Sequence, residues 1–122
     1  GVKSRMWLGY DATDQELIDH TIMRLKNKPL TKRKAYLETC LCFFDPKTKM
    51  AFYQRQKING LIAIKPSIKR MEGYPFRSLF IIKVNGKSKY YDGLNSTEQQ
   101  QLNHRLIAIS RLLPKLLKHL LK

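Results

Sequence analysis

The stretch KAYLETCLCFFDPKTKMAFYQRQK, residues 34–57, decides the fold. Aromatic and β-favouring residues fill both halves and Asp45-Pro46 interrupts them with a turn signal, so the segment predicts two strands folded into a hairpin. Cys40 and Cys42 lie two apart in the first strand and therefore share a face. With three scattered histidines they match no zinc-site spacing. Both read as reduced cysteines of the core, where free Cys is commonly buried.

Outward from the hairpin, helix and strand patterns alternate. On the N-terminal side DATDQELIDHTIMRLKNKP carries a capping box, Thr13 with Glu16 three residues on. Apolar residues follow at Ile18, Ile22 and Leu25 before Pro29 stops the run, which predicts a helix. On the C-terminal side GLIAIK and SLFIIKV are short apolar runs bounded by Gly, Pro and Asn, and KYYDG ends in a turn. The middle of the chain is therefore mostly sheet, with three to five strands.

The pattern then changes period. NSTEQQQLNHRLIAISRLL offers Ser96 or Asn95 as N-cap and an apolar stripe at Leu102, Leu106, Ile109 and Leu113. At about 100° per residue from Leu102, the stripe falls within roughly 40° of zero and His104 near 200°, which points His104 away from the core. Asn103 and Arg105 flank the stripe, giving the first turns a polar Asn-His-Arg set near the partly positive end of the helix. Pro114 makes PKLLKHLLK a separate short helix or a kinked continuation. Helix, strands, helix fits an α+β or mixed α/β domain.

Length and composition frame these elements. At 122 residues and 43% hydrophobic the chain suits one domain, 1–122, with a single modest core. No run of about 18 apolar residues appears, and GVKSRMW lacks a signal peptide's apolar stretch, so the expected location is cytoplasmic with no membrane span. RLLPKLLKHLLK combines Leu with Lys as a membrane-surface helix would, but Pro114 and packing as a final core helix argue against that use. Twenty-four Lys and Arg against nine Asp and Glu give a net charge of +15, which attracts nucleic acid, anionic membrane or nucleotide phosphates without choosing among them.

Order and spacing of several segments resemble the inosine triphosphatase family, pyrophosphatases for non-canonical purine nucleoside triphosphates. GVKSR, DATDQEL followed by a helix, and RKAYLETCLCFF are similar to consecutive family motifs, EGYPFRSLF stands at the family's base-pocket loop, and GLNSTEQQQLNHR stands where the family closes on Ser-His-Arg. The likeness covers about residues 1–113, the C-terminal two-thirds of the family's chain. It implies a two-lobed, mixed twisted sheet with flanking helices, of α/β class, with a substrate cleft and the N-terminal part missing. By resemblance Tyr74 stacks on the base with Phe76 close by, and His104 and Arg105 contact a 6-keto purine or the adjacent phosphates.

Three departures sit in these motifs. Arg77 occupies the family's Asp position and replaces an acceptor with a fork of donors, Gln99 stands where a substrate-binding Lys is usual, and Asn103 replaces Ser. The substrate-binding set expected is thus Tyr74, Phe76, Arg77, Asn103, His104 and Arg105, with no catalytic residue and no metal ligand in the segment. The family's triphosphate grip and its Mg²⁺-binding acids belong to the absent first third, and anhydride hydrolysis needs such groups. The chain opens with Gly inside a family motif, so a truncated or processed protein is expected.

Two functions follow. One is a nucleoside triphosphate pyrophosphatase converting inosine, deoxyinosine or xanthosine triphosphate to monophosphate and pyrophosphate with Mg²⁺, as a homodimer by resemblance, with an N-terminal half supplied in cis or in trans. The other is a non-catalytic basic module for nucleotide or RNA, suggested by the charge and by aromatics among basics in AFYQRQK and KSKYYDG.

Overall fold

The computed structural model describes residues 3–121, so Gly1 and Val2 of the GVKSR motif lie outside the described residues. The chain, expected as one domain, divides into two compact units, Gly1–Ala35 with Gly60–Leu94 and Tyr36–Asn59 with Asn95–Lys122. It is of α/β class, with a four-stranded sheet ordered β1 (Lys34–Asp45), β2 (Met50–Ile62), β3 (Phe80–Val84) and β4 (Lys87–Tyr90). GLIAIK is not a separate strand, because its first residues complete β2.

In the first unit α1 (Asp14–Arg24) starts as its sequence dictates: Thr13 Oγ1 accepts from the Glu16 amide and Glu16 Oε1 accepts from the Thr13 amide. Leu17, Ile18 and Thr21 form its buried face. Arg33, 4% exposed, donates to the carbonyls of Leu25, Lys28 and Ala63, which places a cation at the carbonyl-rich end of the helix. β3 and β4 form a hairpin whose two-residue turn, Asn85-Gly86, has φ of 51° and 79°. A tight hairpin of this hand needs positive φ at both positions, which Asn and Gly tolerate best. β2 joins β3 antiparallel through Leu61↔Ile81 and Ile62↔Phe80, and Leu17, Ile18, Leu79, Phe80 and Tyr91 close the core.

In the second unit burial alternates residue by residue along β1 and β2, the period-2 signature read from the sequence. α2 (Ser96–Leu102) is capped by Asn95 in a box with Glu98. α3 (His104–Leu120) lies along one hairpin face: Arg111 donates to Gln56 Oε1 at 2.6 Å, Lys115 to Gln54 Oε1 at 3.0 Å, and His119 Nε2 sits 2.7 Å from Asp45 Oδ2. That contact holds the Asp45 carboxyl below its usual range, with help from the Lys47 amide. α3 runs through Pro114 as a continuation.

Two expectations are corrected. Cys40 and Cys42 share a face, but it is the hairpin's outward face, and both are exposed. Alternation identifies the two faces of a strand and cannot say which one a helix covers. Iodoacetamide is expected to label both thiols in the folded protein about as fast as in the unfolded chain, read by mass spectrometry. Protection of either would put it back in the core.

The second correction concerns His104, which is 5% exposed while Leu106, Ile109 and Leu113 are 43–51% exposed. Asn103, with ψ of 114°, breaks the predicted single helix and caps a new one. α3 then packs through His104, Ala108 and Leu112, so the leucine-rich stripe is the outward side.

Candidate functional site

The EGYPFRSLF loop lies in the first unit, where the segment between β2 and β3 is tied down at both ends. The Ala63 amide donates to Leu79 O and the Ser67 amide to Ser78 O. Pro75 opens a 3₁₀ turn, Pro75–Leu79, which Ser78 closes by donating its hydroxyl to Pro75 O. Gly73 has φ of 86°, a backbone that favours glycine, and its amide donates to Asp14 Oδ2 at 2.7 Å. Asp14 also pairs with Arg5, and these two contacts, Arg5 first, hold its carboxyl below the usual range. One carboxylate thus joins the N-terminal segment, the start of α1 and the loop.

Beside α1 this loop borders an open cavity of about 340 Å³, lined by Asp14, Gln15, Ile18, Arg70, Met71, Glu72, Tyr74, Pro75 and Ser78. Its volume is at the lower end of ordinary small-molecule sites. Arg70 is held by Ser67 O and Gln15 Oε1, both at 2.9 Å, so its guanidinium is positioned at the wall. Tyr74, 37% exposed, presents an aromatic surface there.

Of the residues expected to bind substrate, Tyr74 lines this cavity, and Phe76 and Arg77 do not. Phe76 faces the Trp7 ring at 6.4 Å. Arg77 lies between two rings, 5.4 Å from Tyr74 and 4.8 Å from Tyr91, with Nε 3.2 Å from Asp92 Oδ1. Its side chain is 14% exposed and that of Asp92 is 3%. Burial pushes the Asp92 carboxyl up, against the opposing pull of Arg77 and the Met71 amide.

The remaining three residues belong to the second unit. Asn103 is occupied as a cap: its Oδ1 accepts from the Arg105 and Leu106 amides at 3.0 and 3.2 Å, and its Nδ2 donates to Gln99 Oε1 at 2.7 Å. His104 is buried in the first turn of α3, and Arg105 is exposed beside it. Among the described residues no three His, Cys, Asp or Glu side chains converge so as to hold a metal ion. Asp14, Arg70 and Asp92 are the site-region residues that sequence reasoning missed. Asp14 had a signal in the DATDQEL segment, where it follows the N-cap Thr13, whereas Asp92 was hidden in a turn.

The model of the Ham1 family matches residues 1–115. The chain belongs to the Ham1 family. The resemblance to the inosine triphosphatase family read in its sequence is thereby borne out. Among curated relatives, this Ham1 chain is 27% identical over 118 residues to a dITP/XTP pyrophosphatase of Rhodopirellula baltica, covering 97% of itself and 55% of the relative. It is 26% identical over 109 residues to a dITP/XTP pyrophosphatase of Prochlorococcus marinus, covering 89% and 52%. Solved Ham1 proteins share its fold: that of Coxiella burnetii at a TM-score of 0.75 and 23% identity, and that of Staphylococcus aureus at 0.76 and 22%. The match covers 97–98% of this chain and 58% of each of those. The Ham1 chain thus spans about half the length of the curated relatives it matches.

Proposed function

We propose that this chain supplies the nucleotide-recognising part of a pyrophosphatase acting on non-canonical purine nucleoside triphosphates. The observation that carries the reading is the family match over residues 1–115, with relatives named dITP/XTP pyrophosphatase. In the first unit the Tyr74 ring on its cavity provides a stacking surface for a purine, and Arg70 a cation beside it. In the second unit Arg105 provides an exposed guanidinium at the start of α3 for phosphate, with His104 as its neighbour. Arg77 is assigned a structural part, because Asp92 and two tyrosine rings already engage it. Asn103 likewise serves the helix cap.

The test is calorimetric titration and pyrophosphate release with inosine, xanthosine, guanosine and adenosine triphosphates in the presence of Mg²⁺, which this class of reaction uses. Selective binding of the inosine and xanthosine nucleotides is expected. Arg105→Ala and Tyr74→Ala are each expected to weaken it by about 1–3 kcal/mol, the range for an unmade charged hydrogen bond or a lost stacking partner. His104→Ala is expected to weaken it as well, but its burial makes unchanged circular dichroism a condition of that comparison. Binding equal to the parent in all three variants would remove the assignment.

A further inference from the structure

The cavity beside α1 holds a cation with donors to spare. A guanidinium carries five N–H groups in a planar fork. Arg70 spends its Nε–H on Ser67 O and one Nη1–H on Gln15 Oε1, which leaves three of the five without a partner among the described residues. Gln15 is itself held, because its Nε2 donates to Asp19 Oδ1 at 2.9 Å and so leaves Oε1 for Arg70. The fork is therefore fixed before any ligand arrives. Tyr74 presents its ring to the same cavity, and Ile18 and Pro75 give it apolar wall. Asp14, kept ionised by Arg5 and the Gly73 amide, lines it together with Glu72. Two carboxylates oppose the entry of a triphosphate and not that of a neutral ring.

We infer that Arg70 is a specificity-determining residue that donates to the 6-keto oxygen of a purine stacked on Tyr74, with Gln15 as its positioning residue. This rests on the pyrophosphatase reading and names the side chain that rejects adenine. Hypoxanthine and xanthine carry an acceptor at position 6, where adenine carries an amino donor. Arg70 meets the acceptor with a charge-assisted hydrogen bond. Against adenine it sets donor against donor, and a guanidinium has no acceptor to offer and no proton it can lose to change roles. The carboxylates in the same wall keep the phosphates elsewhere, so the fork is spent on the base. Guanine shares the 6-keto oxygen, so Arg70 decides position 6 and leaves position 2 to other groups.

Inosine and adenosine triphosphates carry the same sugar and phosphates, so the ratio of their affinities isolates the base. The full chain is titrated by calorimetry with each of them and with inorganic tripolyphosphate, in the presence of Mg²⁺. The parent is expected to prefer the inosine nucleotide by at least about tenfold. Arg70→Met keeps an unbranched apolar stem and removes the donors. It is expected to lower that preference by about tenfold and to leave tripolyphosphate binding as in the parent. Gln15→Ala leaves the guanidinium in place but unheld, and it is expected to lower the preference by about threefold. A parent that binds both nucleotides alike, or a ratio unchanged in Arg70→Met, would overturn the proposal and leave the pyrophosphatase reading standing. Equal losses on both nucleotides and on tripolyphosphate would do the same and make Arg70 a phosphate contact. A parent that binds neither nucleotide would remove the pyrophosphatase reading itself, and the role of Arg70 with it.

Discussion

Gly60→Ala is expected to lower the unfolding free energy by about 3 kcal/mol or more, above the ordinary cost of overpacking. A Cβ at Gly60 would stand 2.3 Å from the Ile81 carbonyl oxygen and 2.7 Å from the Phe80 ring. Neither neighbour can yield: Ile81 belongs to the β2–β3 pairing, and Phe80 is 1% exposed, with its ring 6.0 Å from that of Tyr91. The residue is glycine because a backbone and a ring occupy the space a side chain would need. Gly9→Ala is the control, since nothing lies within 4 Å of it and only its φ of 89° resists. Urea unfolding of the two variants beside the parent measures the difference. If Gly60→Ala unfolds within about 0.5 kcal/mol of the parent, as an unremarkable surface change would, the close approach of β2 to β3 is not as described.

Arg77→Ala should cost about 3–5 kcal/mol near neutral pH, because it leaves the buried Asp92 carboxylate without its cation. The loss should itself depend on pH. Burial already raises the Asp92 carboxyl above its ordinary value, and removing Arg77 takes away the main opposing attraction. A carboxyl raised in the folded state favours folding most below the ordinary value of about 3.9, and that contribution is lost as pH rises through the raised one. The penalty of Arg77→Ala is therefore largest at about pH 7–8 and shrinks as the medium is acidified toward pH 4. Adding Asp92→Asn to Arg77→Ala should recover part of the stability at neutral pH. Thermal unfolding across this range is the measurement, and a penalty that stays constant with pH would show that Asp92 does not carry the effect.

Much of the architecture was legible because its signals are local. Thr13 with Glu16 and the alternation of residues 34–57 specify a cap and strands without help from distant parts of the chain. What failed to show was direction. The stripe Leu106, Ile109 and Leu113 is real, yet α3 turns the other side inward, where Ala108 and Leu112 are buried. Periodicity records that a helix has two faces, and the packing partner chooses between them. Cys40 and Cys42 erred for the same reason. At the candidate site the motif drew attention to Tyr74, which lines the cavity beside α1. The true surroundings of Arg77 were not, because Asp92 and Tyr91 come from a turn that carries no pattern of its own.

The division of the chain at residues 35, 59 and 94 has a consequence for its birth on the ribosome. Each compact unit needs two stretches of chain with a foreign segment synthesised between them. The stretch that ends at Ala35 must wait for Gly60–Leu94 to emerge, several seconds at about 5–20 residues per second. During that interval the hairpin, with Phe43, Phe44 and Phe52, emerges before α3 exists to cover the face it packs on. Vectorial synthesis cannot finish one unit before starting the other, so the nascent chain passes through a sticky half-built state in which chaperone capture competes with folding.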